Sequence, residues 1–376
     1  MKKIIVIGGG FAGISALAKL SKLRNEAEIV LIDKKEEFNF LPMLPDIVGR
    51  GVRPRFLTND LQALSKRFGF NLIKDKVKKI DLEKKEVTTA SQKIAYDYIV
   101  IASGSETNFY GNSMIEQNSH TLDSVNDVQN ILKTIDTKKP KTIVIGGGGY
   151  TGIEIATNIR RHLVKCKRDS TIVIVERAPS LLGPLPEWMK AYVSQNLKRL
   201  SIEAFTECVI EKVENGTIWL SNGKNFDTIL LIWSAGVKTA DFIFELHAQK
   251  TPQGRIKVDE YLRLSDTCFV VGDATQIFHK EKPLRMAIQF AIAQGQIAAE
   301  NIIRSIRGKP LKKYKPIDLG YVVPMANNYS CGTVLGVNLK GKLPTFFHYF
   351  MCIYRSVGLN NRLGIFVDLI KGGGGC

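Results

Sequence analysis

Residues 2–22 read KKIIVIGGGFAGISALAKLSK, and this stretch decides the fold class. The β-branched residues 4–7 predict a strand that is buried on both faces, as in a parallel sheet. Gly8, Gly10 and Gly13 follow at G-x-G-x-x-G spacing and open a predicted helix. The first glycine permits a tight turn, the second lets a pyrophosphate approach the backbone, and the third lets the helix pack on the strand. The N-terminus of the helix then attracts the anion.

An acidic residue follows at the position where such a unit holds a ribose. EIVLIDKK, residues 28–35, predicts a second strand that ends at Asp33, whose carboxylate can accept hydrogen bonds from ribose hydroxyls. A glycine motif alone is weak evidence, but strand, glycine turn, helix, strand and terminal acid in this order predict a dinucleotide-binding unit. The fold class is therefore α/β, with a Rossmann-like sheet.

The same unit recurs in the middle of the chain. KTIVIGGGGYTGIEIATNIRR places Gly147, Gly149 and Gly152 at the same spacing. The next predicted strand, TIVIVERA, ends at Glu176. An acid at this position favours the free 2′-hydroxyl of NADH and repels the 2′-phosphate of NADPH. Arg177 beside it could accommodate that phosphate, so NADPH stays an alternative.

Three further segments predict strands that enter turns of small residues. AYDYIVIASGSE turns at Ser103 and Gly104, and DTILLIWSAGVK turns at Gly236. CFVVGDATQ ends at Gly272 and Asp273, which would put a carboxylate beside the polyol of a flavin. Two nucleotide-binding units require two dinucleotides, and a resident FAD with a visiting NAD(H) is the expected pair. The six cysteines are scattered without metal-ligand spacing, so no metal site is predicted.

These motifs cover nearly the whole chain and resemble the two-dinucleotide-binding-domain flavoproteins. The resemblance implies that GGGFAG binds the FAD pyrophosphate, that Asp33 holds the adenosine ribose and that Asp273 belongs to the second FAD motif. It also implies that GGGYTG and Glu176 bind NADH, with Gly236 in the same domain. The family's fold implies a discontinuous FAD-binding domain at 1–110 and 245–330, an inserted NAD(H)-binding domain at 111–244, and a C-terminal membrane-association region at 331–376.

Residues 38–50, FNFLPMLPDIVGR, bear on the electron acceptor. They contain no redox-active cysteine pair, which disfavours a disulfide reductase. The tetrapeptide that ends at Pro42 resembles the segment lining the flavin in type II NADH:quinone and sulfide:quinone oxidoreductases. Sulfide oxidation needs nucleophilic cysteines near the flavin, and residues 149–151, where those relatives carry one, contain none. Type II NADH:quinone oxidoreductase is the closer resemblance, and sulfide:quinone oxidoreductase is the alternative.

A quinone site is expected on the segment KPLRMAIQFAIAQGQIAAENIIR, where Pro283 is predicted to start a helix. Gln289 and Gln294 interrupt its apolar pattern and resemble the family's quinone-binding glutamines. Glu154 matches an acid that the family places near nicotinamide and flavin, where it could orient the carboxamide or relay a proton. A core helix with two glutamines and a helix-capping carboxylate remain the alternatives.

The chain has 53 Lys+Arg against 36 Asp+Glu, a formal net charge of +17. A charge of this sign suggests a polyanionic partner. No nucleic-acid-binding motif accompanies it, so an anionic lipid surface is favoured.

The C-terminal stretch LPTFFHYFMCIYRSVGLNNRLGIFVDLIK predicts two amphipathic helices that lie on a membrane. The aromatic face of the first comprises Phe346, Phe347, Phe350, Met351 and Tyr354. Residues 358–361 break the helix, and a second apolar segment runs over 363–370. No apolar run is long enough for a spanning helix. We therefore expect a peripheral protein on the cytoplasmic face of the cell membrane, although the same faces could form a homodimer.

The predicted function is the FAD-dependent transfer of electrons from NADH to a membrane quinone without proton pumping. The alternatives are a sulfide:quinone oxidoreductase, a soluble NADH reductase of a carrier protein, and a non-catalytic nucleotide-binding subunit.

Overall fold

The apolar run after Met1 forms the strand Lys2–Ile7, whose last four residues are buried. This strand lies inside a sheet, parallel to Ala27–Asp33 on one side and to Tyr98–Ile101 on the other. A strand with two parallel neighbours is covered on both faces, which explains why it has no polar face. The two strands on which the first glycine motif depends are therefore adjacent, as predicted.

The structure is a computed structural model and describes residues 1–227, 230–279 and 281–372. The chain divides into two units, of which the first comprises Met1–Phe38, Asn59–Glu106 and Val237–Asp318. The second comprises Asn39–Thr58, Thr107–Gly236 and the residues from Leu319 onward. In chain order, the α-helices of the described residues are α1 Phe11–Leu20, α2 Leu44–Gly49, α3 Leu61–Phe68, α4 Ser113–Asn118, α5 Val125–Lys138, α6 Tyr150–Lys165, α7 Glu187–Arg199, α8 Asp241–Phe244, α9 Ile288–Ile306, α10 Lys342–Arg355 and α11 Leu359–Lys371.

The first unit contains a mainly parallel sheet with α1 and α9 packed together on it. Across this sheet the described strands run in the order Arg263–Ser265, Cys268–Val270, Tyr98–Ile101, Lys2–Ile7, Ala27–Asp33 and Asn71–Lys74. Smaller antiparallel and two-stranded pairings use Val77–Asp81, Glu86–Thr89 and Lys93–Ala95, then Ile256–Lys257 with Thr275–Gln276, and Phe278–His279 with Lys282–Pro283. The parallel strands point their carboxyl ends to one edge, so the loops that follow them meet there.

The second unit repeats this arrangement with its own parallel sheet. Across that sheet the described strands run in the order Ile202–Phe205, Thr171–Val175, Thr142–Gly146 and Leu230–Trp233. Two antiparallel sheets complete the unit, formed by Ile210–Glu214, Thr217–Leu220 and Asn225–Asp227, and by Gly320–Val323, Ser330–Val334 and Val337–Gly341. Short strands at the unit boundaries are Glu37–Asn39, Thr58–Asp60, Glu106–Thr107 and Val237–Lys238, and 3₁₀ turns are Ser21–Leu23, Leu41–Met43, Pro54–Phe56 and Gly272–Ala274.

The two units differ from the predicted domains in two segments and at each boundary. Asn39–Thr58, predicted within the FAD-binding domain, belongs to the second unit because α2 packs on α5 and α6. Arg161 of α6 donates from Nε to the carbonyl of Gly49 at 3.0 Å, which ties the two helices together. The C-terminal residues also belong to the second unit, since α10 packs on the strand Ser330–Val334.

The predicted start of the quinone-segment helix is wrong. Pro283 lies in a two-residue strand that pairs with Phe278, and α9 begins five residues later at Ile288. Pro283 pairs with the neighbouring strand instead of opening the helix, because such pairing overrides a local helix preference.

Two C-terminal helices form, but the predicted break at 358–361 is wrong in position: residues 356–358 separate the helices, and α11 begins at Leu359. An ion pair and a close contact hold α11. Asp368 is nearly buried, and its carboxylate accepts hydrogen bonds from the backbone N–H and the Nε of Arg53, each at 2.9 Å. Gly364 lies against the ring of Phe56, where a β-carbon would overlap ring atoms. None of the described helices is both long enough and apolar enough to cross a bilayer.

Replacing Gly364 with alanine should detach α11 from the Phe56 ring. We expect Gly364→Ala to lower the free energy of unfolding by about 1–3 kcal/mol, because an added methyl group overpacks this contact. Chemical denaturation of the FAD-loaded protein measures the change. Asn360→Ala, at an exposed position of the same helix, is the control and should change stability by less than about 0.5 kcal/mol. Equal stability of the two variants would contradict this contact.

Candidate functional site

The first glycine loop has the geometry of a nucleotide cradle. Gly8 has φ +97°, and its N–H donates to the carbonyl of Ile32 at 2.9 Å. A β-carbon on Gly13 would overlap the carbonyl of Gly8, so only glycine allows α1 to begin so close to the strand. Gly10, by contrast, faces open space with an ordinary φ of −78°. Gly10 is therefore not needed for packing the helix on the strand. Its missing side chain leaves open space beside the N-terminus of α1.

The acid at the end of the second strand is fixed to this loop. Oδ2 of Asp33 accepts a hydrogen bond from the N–H of Gly9 at 2.5 Å, and Oδ1 accepts one from the N–H of Lys35 at 2.7 Å. A carboxylate oxygen can accept more than one hydrogen bond. Asp33 is thus held in place and can still accept hydrogen bonds from ribose hydroxyls.

The same sheet edge carries the other residues predicted to bind FAD. Ser105 Oγ donates to Asp273 Oδ2 at 2.9 Å, which joins the turn after one strand to the turn after its parallel neighbour. Burial raises the pKa of Asp273, and the hydrogen bond from Ser105 and the charge of Arg255 oppose that rise. Ser103 Oγ is buried without a hydrogen-bond partner among the described residues, and Gly104 has φ +66° with open space around it. An unpaired buried hydroxyl beside free space fits a polar ligand.

The two glutamines of α9 lie on different faces. They are five positions apart, which corresponds to about 140° around the helix. Gln294 is 3% exposed, and its Oε1 accepts a hydrogen bond from the N–H of Gly272 at 2.8 Å. Gln289 is half-buried and donates from Nε2 to Asp318 at 3.1 Å, and Asp318 also pairs with Arg285. The structure therefore connects Gln294 with the predicted FAD residues and does not bring it together with Gln289.

The second glycine loop repeats the first in detail. Gly147 has φ +108°, and a β-carbon on Gly152 would overlap its carbonyl. Gly149 faces open space with φ −79°. Glu176 accepts hydrogen bonds from the N–H of Gly148 at 2.7 Å and of Ala178 at 2.8 Å. Each cradle is complete, with an acid of its own bound to the loop.

Gly236 lies under an aromatic side chain. Its φ is +84°, a backbone conformation that favours glycine. A β-carbon at this position would also overlap the hydroxyl of Tyr110. The guanidinium of Arg177 lies 5.7 Å from the centre of the same ring. Arg177, which left the choice between NADH and NADPH open, is thus held beside Tyr110.

Glu154 is half-buried on α6, close to two other titratable side chains of the second unit. Side-chain donor atoms of Asp46 on α2, Glu154 and His348 on α10 lie within 4.8 Å of one another. Oε1 of Glu154 and Oδ2 of Asp46 are buried without a hydrogen-bond partner among the described residues. Burial raises the pKa of Glu154 well above its ordinary value, and the nearby charge of Asp46 adds to this. Glu154 is therefore an acid whose surroundings favour the protonated form.

Asp46 is fully buried and is held by two side chains. Arg50 Nε lies 3.2 Å from Oδ1, and the Tyr349 hydroxyl donates to the same oxygen at 2.8 Å. Burial raises the pKa of Asp46, while Arg50 and Tyr349 oppose the rise. Burial also lowers the pKa of His348 to about 4, so this imidazole is neutral at neutral pH.

No role was predicted from the sequence for four residues of this cluster, Asp46, Arg50, His348 and Tyr349. An acid inside the apolar stretch 38–50 was a usable signal, because a carboxylate is rarely buried without a function or a partner. His348 and Tyr349 carried no such signal, because they lie in the aromatic run assigned to the membrane. Pro42 lies in the 3₁₀ turn Leu41–Met43, in the segment that packs with the second unit.

Two units of this kind, each with a glycine loop bound to an acid, define a protein that handles dinucleotides. Residues 2–295 match the pyridine nucleotide-disulphide oxidoreductase family. The match extends over most of the chain, and the chain belongs to this family.

Individual proteins are similar to the chain over most of its length. A protein of Staphylococcus saprophyticus named type II NADH:quinone oxidoreductase is 24% identical over 373 residues, which cover 92% of both chains. An NDH2 from Plasmodium falciparum, solved in complex with NADH, has a TM-score of 0.85 and 18% identity over 98% of both chains. The sulfide:quinone oxidoreductase of Aquifex aeolicus has a TM-score of 0.80 and 21% identity, over 97% of this chain and 92% of that one. The α/β fold class and the resemblance to type II NADH:quinone oxidoreductases are confirmed.

The middle glycines allow a test of the two cradles with the same substitution. Gly149→Ala should fold normally, because a β-carbon fits the open space, but should raise the KM for NADH about tenfold, which corresponds to about 1.4 kcal/mol of binding energy. Gly10→Ala should instead lower the amount of FAD that copurifies. Each variant is the control for the other, with KM and flavin content as the measurements. An unchanged KM in Gly149→Ala would argue against nucleotide binding at the second loop.

Proposed function

We propose that this protein is an FAD-dependent type II NADH:quinone oxidoreductase, which passes electrons from NADH to a membrane quinone without pumping protons. The observation that carries the proposal is the presence of two complete cradles, each with its own acid, in separate units of one chain. Two dinucleotide sites suit an enzyme that keeps one redox cofactor and exchanges the other. The names of the curated relatives, and the NDH2 solved with NADH, support NADH as donor and quinone as acceptor.

The residues of the first unit fit FAD. Gly10 leaves room for the pyrophosphate, Asp33 can accept from the adenosine ribose, and Asp273 can accept from the polyol. Ser103 offers a hydroxyl without a protein partner. Bound FAD would supply hydride acceptance and electron delivery to the quinone. Gln294 holds the backbone at Gly272, so its contribution is to shape the FAD site rather than to contact quinone.

The second unit selects and orients the nicotinamide dinucleotide. Glu176 presents a carboxylate that favours a ribose with a free 2′-hydroxyl and repels a 2′-phosphate. The N-terminus of α6 and the open space at Gly149 receive the pyrophosphate. NADH is therefore the preferred donor.

Pro42 and Gln289 are assigned to the flavin lining and to the quinone by resemblance, and Gln289 has the exposure that such a role requires. It is half-buried, and its amide is oriented by Asp318. Glu154 is assigned to proton handling, since its surroundings favour a protonated carboxyl that can deliver a proton.

Sulfide is less well supported as a donor. Sulfide oxidation requires a reactive thiolate, but Cys331 is a buried free thiol whose pKa burial raises to about 12. Cys268 is likewise buried, and burial raises its pKa to about 12. A thiol with such a pKa is not a nucleophile at neutral pH.

The direct test is anaerobic reduction of the FAD-loaded protein by each donor, followed by addition of a ubiquinone or menaquinone analogue. We expect NADH to bleach the flavin absorbance much faster than NADPH or sulfide, and the quinone to restore it. Stopped-flow absorbance measures both steps. Bleaching by sulfide alone would favour the sulfide enzyme. A flavin that NADH reduces and quinone does not reoxidise would favour a reductase of a soluble carrier.

Membrane association is the second part of the proposal, and it is supported by the outward faces of α10 and α11. On α10, Phe346, Phe350 and Tyr354 are 63%, 55% and 63% exposed at a spacing of four residues. The exposed apolar residues of α11 are Leu359, Leu363, Phe366, Val367 and Ile370. Apolar faces of this size beside a net charge of +17 suit the interface of an anionic membrane. Since NADH is a cytoplasmic metabolite, the cytoplasmic face is the proposed side.

Removing two aromatic side chains from this face should weaken lipid binding. We expect Phe346→Ser with Phe350→Ser to lower affinity for vesicles of anionic and neutral phospholipid about tenfold or more, because each buried phenylalanine contributes about 1.5–3 kcal/mol. Vesicle sedimentation measures the affinity. Raising the salt concentration should weaken binding of the unaltered protein, while the aromatic contribution remains.

The matched control for lipid binding is Phe278→Ser. Phe278 is 49% exposed but lies in the first unit, away from α10 in the sequence. Its replacement should leave vesicle binding unchanged. If it weakens binding as much as the double change on α10, the C-terminal helices are not the membrane anchor.

A further inference from the structure

Two carboxyls, of the buried Asp46 and the half-buried Glu154, support an inference that rests on the proposed function and deepens it. We propose that these two carboxyls share one proton, that this proton is the reserve from which the quinone is protonated, and that Asp46 acts as a positioning residue for Glu154.

The hydrogen-bond pattern requires a proton at this place. Oδ2 of Asp46 and Oε1 of Glu154 are both buried, both lack a partner among the described residues, and belong to groups within 4.8 Å of each other. Two ionised carboxylates with buried, unpaired oxygens at this distance are unfavourable, because these oxygens lose their hydration and the two charges repel each other. One shared proton, held directly or through a water molecule, removes both penalties.

The positive charges nearby do not replace this proton. Arg50 and Arg161 each donate to the carbonyl of Ala326, Arg50 donates also to Asn328, and Arg161 donates also to Gly49. The charges of both guanidinium groups lower the pKa of Asp46, and that of Arg50 also lowers the pKa of Glu154. Neither group donates a hydrogen bond to Oε1 of Glu154, which has no partner among the described residues. They also make a divalent cation a poor occupant, because it would lie beside two guanidinium groups.

Helix α10, which contributes His348 to the cluster, supplies mostly neutral groups. From α10, His348 is neutral at neutral pH, Tyr349 donates to Asp46, and the Cys352 thiol lies 3.6 Å from His348 Nε2. Burial raises the pKa of Cys352 well above its ordinary value, so this group is also uncharged. Arg355 is the remaining charged residue of α10 that acts on His348. The groups of the cluster that can gain or lose a proton near neutral pH are therefore the two carboxyls.

The stoichiometry of the proposed reaction calls for one proton. NADH supplies two electrons and one proton as hydride, whereas a quinone needs two electrons and two protons to become a quinol. The balance is NADH + H⁺ + quinone → NAD⁺ + quinol. The pair gives up the second proton, and solvent returns it before the next turnover.

The pH profile of turnover tests this assignment. The rate of quinone reduction should fall as pH rises, when the pair loses its proton. Asp46→Asn removes the negative charge that raises the pKa of Glu154, so this alkaline limb should move to lower pH by about one unit. Tyr349→Phe removes a donor that favours ionised Asp46, so the limb should move to higher pH. Ferricyanide takes electrons without protons, and its reduction should keep one profile in all variants.

Because Asp46→Asn and Tyr349→Phe should shift the alkaline limb in opposite directions, they distinguish a role in proton transfer from a structural role. A loss of rate with an unmoved alkaline limb in both variants would overturn the proposal, since it is the result of misfolding alone. Tyr329→Phe, at an exposed tyrosine outside the cluster, is the matched control and should leave the limb in place.

Infrared difference spectra give a readout that does not depend on turnover. The FAD-loaded protein at pH 7 should have a carbonyl band of a protonated carboxyl that disappears in Glu154→Gln. Absence of this band, or one bound zinc ion per chain lost in Glu154→Gln, would overturn the shared proton. If the band is present but the protein reduces no quinone, the proposed function fails and the reserve role with it, while the shared proton stands.

Discussion

Both nucleotide-binding units depend on one close contact between two glycines. The third glycine of each loop, Gly13 or Gly152, lies so near the carbonyl of the first, Gly8 or Gly147, that no side chain fits between them. This contact sets where the helix begins relative to the end of the strand, and it leaves the N-terminal amides of the helix open toward the loop. A single β-carbon at the third position would displace the helix, and with it the geometry of the anion site.

The local part of this arrangement could be predicted from the sequence because it is encoded within a single strand, turn and helix. The acid that follows the next strand, Asp33 in the first unit and Glu176 in the second, lies beside the glycine loop and accepts a hydrogen bond from a loop amide. The order of the motifs along the chain likewise indicated the α/β class. These inferences need only the geometry of one crossover unit.

The rest depends on contacts that no local pattern contains. Gln294 accepts a hydrogen bond from the N–H of Gly272, 22 positions away, although the resemblance assigned it to the quinone together with Gln289. Tyr349 reaches Asp46 across 303 positions, and the aromatic pattern around Tyr349 indicated only a membrane face. A periodic pattern reveals that a helix has two faces, but it does not identify the polar partner that one buried side chain meets.

Helix α10 illustrates how one element serves two proposed roles. Phe346, Phe350 and Tyr354 project outward at intervals of four, while Tyr349 and Cys352 lie on the inward side. The same rigid helix would therefore contact lipid on one face and donate a hydrogen bond to Asp46 from the other. Any ligand that binds only the ordered helix stabilises every contact the helix makes. Docking on the membrane would thus favour the state in which the carboxyl pair is held in place, so that the proton reserve is best formed where the quinone is found.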